Sequence, residues 1–294
     1  MKVGIRFANS AWRSDPESGS EFARVAEECG FESLWAVDRP TVPWRPSAPY
    51  PYAASGALPD WFHDIDLPDP FVWLSFIAAR TTSLMLGTGV LVLPLRSPVL
   101  VAKQAAALDR LSGSRLLLGV GSGWLRDEFD AVGAGFADRH ERLAESVSAM
   151  RALWTQPRAS YAGRHTSFAD LDMRPRPGRP VPVHIGGSVT AAARRAGRLG
   201  DGFCPQGGPP DWLAAMVKVA QTEATAAGRD PDALEVTIGI SHPEEVAAYR
   251  RAGAHRVLFA PPGHDCASGL AGLRTLALDL ARAGVRLQPG NARR

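Results

Sequence analysis

Short apolar runs alternate with amphipathic stretches from one end of the chain to the other. Residues 2–8, 31–37, 84–93, 115–120, 181–185, 201–205, 235–240 and 256–259 have the length and apolar density of strands covered on both faces. Helical patterns lie between them. Residues 20–29 place Phe22, Val25, Ala26 and Cys29 on one side and stop at Gly30. Residues 71–80 form a second helix. Ser97 and Pro98 open a third as N-cap and first helical residue, with Val101, Ala105, Leu108 and Leu111 as its buried stripe and Gly113 as its end. A fourth begins at Asp138, which forms a capping-box pattern with Glu141 and precedes Leu143, Val147, Met150 and Trp154. Residues 191–198, 211–227, 243–251 and 270–283 complete the series. Eight strand–helix pairs without a sequence repeat predict an α/β fold, a (β/α)8 TIM barrel rather than a doubly wound sheet.

Two insertions interrupt that alternation, after strands 2 and 4. Residues 40–70 hold eight prolines together with Trp44, Tyr50, Tyr52, Trp61 and Phe62, the composition of a lid or binding loop. Residues 121–137 read as a loop carrying Trp124, Arg126, Asp127 and Glu128, with the two carboxylates on a solvated face. Residues 155–180 suggest a short hairpin and a proline-rich approach to the fifth strand. One domain is expected over 1–286, with a disordered tail at 287–294.

Composition changes this picture little. The chain has 294 residues, 45% of them apolar, enough for one large core. Its 33 basic and 30 acidic residues give a net charge of +3 without a basic stripe, so no nucleic-acid partner is expected. Cys29, Cys204 and Cys266 lie far apart and read as reduced thiols. No apolar run reaches membrane-spanning length and the N-terminus lacks a signal pattern, which predicts a cytoplasmic protein without a membrane partner.

Candidate chemistry falls at strand ends, where barrels place their active sites. Strand two runs into Asp38 and Arg39. Three glycine-rich turns follow later strands: Gly119 to Gly123, including Gly121, Ser122 and Gly123; Gly186, Gly187 and Ser188; and Gln206 to Gly208. Bare amides there suit an anion, and the second turn also precedes a helix N-terminus. GVGSG is not a dinucleotide fingerprint, because its third glycine is misplaced and no acidic residue follows at the required distance. His184 is expected to be a hydrogen-bonded core histidine, and no histidine or carboxylate spacing suggests a metal.

The run LGTGVLVLPLRSPVLVAKQAAALDRLSGSRLLLGVGSGWLRDEF resembles the core of the luciferase-like monooxygenase superfamily, especially its F420-dependent oxidoreductase branch. WAVDR, YPY, DPFVWLSFIAARTT, RHERLAESVSAMRALW and PVPVHIGGSVTAAARRAGRLGDGF agree in order and spacing. The resemblance implies hydride transfer between coenzyme F420 and a small organic substrate. FMN is the alternative cofactor, in a monooxygenase served by a separate flavin reductase; a non-catalytic flavin- or deazaflavin-binding protein is the reading from another class. It further implies that Asp38, Gly89, Val90, Gly121, Ser122, Gly123, Asp127, Gly186, Gly187, Ser188 and Gln206 contact the cofactor, with a cis peptide at Gly89-Val90. Asp38, Arg39, Trp44 and Trp124 then stand at the reaction centre. Arg39 and Trp124 occupy positions where sugar-phosphate dehydrogenases of the group carry a catalytic histidine and glutamate, which argues against that substrate. A homodimer is the assembly such proteins often form.

Overall fold

The structure, a computed structural model, describes residues 1–51, 53 and 55–287. In chain order its elements are β1 (Lys2–Ile5), α1 (Pro16–Glu28), β2 (Ser33–Ala36), α2 (Pro70–Ala78), β3 (Met85–Thr88), β4 (Leu91–Val92) and α3 (Pro98–Leu111). Then come β5 (Leu116–Gly121), α4 (Arg126–Val132), α5 (Arg139–Thr155), the hairpin β6 (Ala159–Ala162) and β7 (Ser167–Leu171), β8 (Val183–Gly186) and α6 (Thr190–Leu199). The chain ends with β9 (Gly202–Cys204), α7 (Pro210–Ala226), β10 (Glu235–Gly239), α8 (Val246–Arg251), β11 (Arg256–Phe259) and α9 (Cys266–Arg282). The main sheet runs β3-β2-β1-β11-β10-β9-β8-β5, and β3 also pairs with β5. That last pairing closes eight parallel strands into the expected (β/α)8 barrel, and no strand edge of the ring is left open.

Strand periodicity divides the core in two. One set of positions faces the helices, where Ile5, Leu34, Leu86, Leu118 and Ile185 pack with Phe22, Leu74 and Val101; each such side chain contributes roughly 1.5–3 kcal/mol on burial. The alternate set faces the barrel axis. There Trp35, Leu117, Cys204 and Leu258 form the interior cluster. A Cβ at Gly87 would lie 2.4 Å from the Trp35 ring, so the absent side chain is what gives the indole its space. Beneath it, the buried Arg256 bonds Glu32 at 2.7 and 2.8 Å and pairs with Glu235, which also takes Lys2. The Arg256 guanidinium lies 5.6 Å from the centre of the Trp35 ring.

Several local expectations change. The third barrel strand is two pieces, β3 and β4, separated by Gly89 and Val90. The stretch 121–137 is not all loop: α4 forms around the buried Phe129 and closes on Gly133 with φ of +69°. Asp138 precedes α5 but makes no capping bond; its carboxylate binds Arg142 instead. Ser97 holds the N-cap position of α3 without a side-chain bond, and Leu111 is 83% exposed because it falls on the outer side of the last turn. His184 is buried against Trp35, but its Nδ1 has no partner and its Nε2 is 4.0 Å from Glu235, beyond hydrogen-bond reach. Tyr52, and the expected tail from residue 288 onward, lie outside the described residues. Among the described residues no helix is long and apolar enough to cross a membrane.

Candidate active site

The carboxyl ends of the strands surround a cavity of about 380 Å³. Asp38, Arg39, Gly89, Val90, Gly121, Ser122, Gly123, Trp124, Gly186, Gly187, Ser188 and Gln206 all line it. Two expected residues do not. Trp44 is 82% exposed and stacks on His63, with ring centres 4.1 Å apart. Asp127 accepts bonds from the Ser47 amide and hydroxyl at 3.0 and 2.6 Å, which ties the long loop to α4. Tyr50, Trp61 and Phe62 are the aromatics this loop brings to the cavity.

Val90 forms the wall between three strands, and the Gly89-Val90 peptide is cis. A Cβ at Gly121 would lie 2.6 Å from one Val90 methyl, and a Cβ at Gly186 would lie 2.7 Å from the other. These two glycines therefore seat the valine before they offer anything to a ligand. Gly123 and Gly187 are different. Their φ values of +75° and +124° are ones an L side chain rarely adopts. Gly187 leads to the N-terminus of α6, and the Ser188 hydroxyl accepts the Gln206 amide at 3.2 Å.

Charge around the cavity is mostly paired. Asp38 is buried, and its carboxylate takes the Val92 amide at 2.9 Å and Arg96 at 2.7 Å. Burial pushes the Asp38 carboxyl above its ordinary range, against the pull of Arg96 and the Val92 amide. Arg96 also bridges to Asp69 at 2.9 Å, whose carboxylate caps α2. Arg39 donates to Glu128 at 2.9 Å and lies 5.3 Å from the Trp124 ring centre. Tyr50 meets the same indole edge-on at 5.6 Å.

Glu128 is not on a solvated face as its sequence neighbours suggest. It is 1% exposed, and burial pushes its carboxyl up to about 7 despite Arg39. From β1, Arg6 and Phe7 complete the wall. Arg6 and Arg96 are charged residues that sequence reasoning missed, and Glu128 is one that it placed on a solvated face. Only Arg6 had a readable signal, since it shares the inward side of the first strand with Gly4.

Elsewhere, Glu141, Glu145 and His165 bring one ligand-type atom each within 4.8 Å of one another. The Glu145 oxygens already accept the backbone amides of Arg164, His165 and Thr166, which explains the cluster as a clamp between α5 and the hairpin.

Comparison with known proteins adds context. The family model described as luciferase-like monooxygenase matches residues 3–258. An uncharacterized protein of Mycobacterium tuberculosis is 33% identical over 262 residues, covering 88% of this chain and 92% of that one. The F420-dependent glucose-6-phosphate dehydrogenase of Kineococcus radiotolerans is 32% identical over 246 residues, covering 82% and 67% respectively. Among solved structures, an F420-dependent secondary alcohol dehydrogenase in complex with an F420-acetone adduct superposes with a TM-score of 0.77. It is 18% identical and covers 95% of this chain and 98% of its own, a likeness of fold.

Proposed function

This chain belongs to the luciferase-like monooxygenase family and is an F420- or flavin-dependent oxidoreductase, and from that premise we propose that it passes a hydride between coenzyme F420 and a small, largely apolar organic substrate. The observation that carries the reading is the convergence of Asp38, the Gly89-Val90 wall and the turns at 121–123 and 186–188 on one cavity. The chain's 32% identity to an F420-dependent dehydrogenase favours the deazaflavin over FMN.

The residues present suit a planar ring with an anionic tail. Val90 supplies a flat apolar face, and the turn at Gly186, Gly187 and Ser188 sets amides at the N-terminus of the ten-residue helix α6, where an anion is stabilised. Gly121, Ser122, Gly123 and Gln206 border the same space, and Asp38 fixes the Val92 amide beside it. When bound, the cofactor supplies the hydride chemistry.

The protein's part is to bind, orient and exclude water. Tyr50, Trp61 and Phe62 bring aromatic surface from the long loop to the cavity wall. Arg39, held by Glu128 and stacked on Trp124, offers a fixed cationic donor to a substrate oxygen. This assigns Arg39 and Trp124 to the substrate side, and leaves Trp44 and Asp127 to the loop rather than to the reacting groups.

Titrating the purified protein with F420 and with FMN tests the proposal. F420 binding at about micromolar concentration, followed by absorbance change with a reducible or oxidisable substrate, is the expected result. Oxygen consumption with reduced FMN would instead make it a monooxygenase. Tight binding without turnover across a broad substrate panel would leave a binding protein, and binding of neither cofactor would remove the proposal.

A further inference from the structure

We propose that the substrate is an apolar carboxylic acid whose carboxylate docks on Arg6; this rests on reading the cavity as a redox site. Arg6 follows β1 and reaches over the barrel mouth, where Nη1 donates to the Gln206 carbonyl at 3.2 Å. A Cβ at Gly239 would lie 2.2 Å from that same nitrogen, so the bare end of β10 leaves the guanidinium its place. Its Nε is buried without a hydrogen-bond partner, and among the described residues no carboxylate pairs with it.

The neighbouring cations have carboxylate partners within the fold, Arg39 in Glu128 and Arg96 in Asp38 and Asp69. Arg6 is thus a cation of the cavity with no carboxylate partner among the described residues. The half-buried guanidinium has one carbonyl acceptor and the Phe7 ring 5.2 Å away, which leaves its buried Nε unused, and an anion delivered by a ligand satisfies it. The guanidinium fork matches a carboxylate with two parallel bonds.

Different strands carry this anion site and the cofactor's, and the two meet at Gln206, whose carbonyl accepts from Arg6 and whose amide donates to Ser188. The glycine turns that suit a ring and its tail follow β5 and β8, with Val90 between them, whereas Arg6 follows β1, and the lining also includes the apolar Phe7, Trp61, Phe62, Ile65 and Pro261. A ligand that satisfies Arg6 together with these apolar side chains has an apolar body and one anionic end. The carboxylate is an anchor and takes no part in the hydride exchange.

The full chain, with and without F420, is titrated with benzoate, phenylacetate and octanoate against their neutral amides, followed by thermal shift. In the unmodified protein at least one acid binds about tenfold tighter than its amide or better. Arg6→Gln removes that preference and leaves F420 affinity unchanged. Arg6→Lys, which keeps the charge and loses the fork, retains the preference with weaker binding, and it decides the matter should Arg6→Gln not fold.

Equal binding of every acid and its amide overturns the inference, as does a preference that survives Arg6→Gln. So does a roughly tenfold loss of F420 affinity in that variant, which would give Arg6 to the cofactor's tail. Acid preference that depends on Arg6 in a protein binding no F420 would sustain the docking site while the redox reading fell.

Discussion

At the residue scale, Glu128 sets the behaviour of Arg39. Its carboxyl is pushed up to about 7 by burial, so it passes from neutral to charged across the physiological range. Below that point Arg39 loses its counter-charge; above it the pair is complete. Affinity for anionic ligands should therefore rise as pH falls through about 7, and Glu128→Gln should flatten the profile, as a titration of binding against pH will show. Gly87 is a second such residue. With the Trp35 ring 2.4 Å from where its Cβ would stand, Gly87→Ala should cost about 1–3 kcal/mol or more by overpacking, read as a lower denaturant midpoint.

At the scale of elements, the loop at 37–69 is held at its ends by Asn9, which bonds the carbonyls of Val37 and Pro68, and near its middle by α4. Asp127 takes both the amide and the hydroxyl of Ser47. Asp127→Ala should leave the fold intact and increase proteolytic cleavage near residues 45–51, with a loss of about 1–2 kcal/mol in loop anchoring; unchanged cleavage would show that the loop has another tether. The strands and most helices were legible because their apolar spacing reports burial directly. Helix α4 was hidden, since RDEFDAV offers a single large apolar anchor, Phe129, among four charges.

Pairing across the fold was equally hidden. Arg39 and Glu128 are 89 positions apart, and Glu128 stands between Asp127 and Phe129 in a run that looks solvated. The glycine turns were read as open amides. The structure adds that two of them are bare because Val90 fills the space, a packing fact that no pattern within one strand contains.

At the scale of the whole molecule, stability against acid is set by groups of opposite sign. His184, held at about 4 by burial, is neutral in the fold. Its pKa is depressed, so the unfolded chain binds the proton first and stability falls as pH drops from about 6.5 to 4. Glu235, at about 2 despite its burial because Arg256 and Lys2 hold its charge, adds a loss that begins near its ordinary 4.5 and continues through 2. Glu128 acts the other way. Its raised pKa means that protonation favours the fold, so its contribution is complete below 4.5 and is lost as pH rises through about 7. Between 6.5 and 4.5 it opposes His184. Glu128→Gln should therefore steepen the fall in denaturant midpoint over that window, while His184→Asn should flatten it.

Trp35 and the Arg256 network fill the barrel beneath the cavity, so among the described residues cofactor and substrate reach it from the side of the strand ends and the aromatic loop. Whatever enters second stands in the path of whatever entered first. Turnover should then follow a compulsory sequence, with product departing before the cofactor is exchanged. Inhibition by the spent form of the cofactor should be competitive against the cofactor, while added product should be competitive against neither cofactor nor substrate.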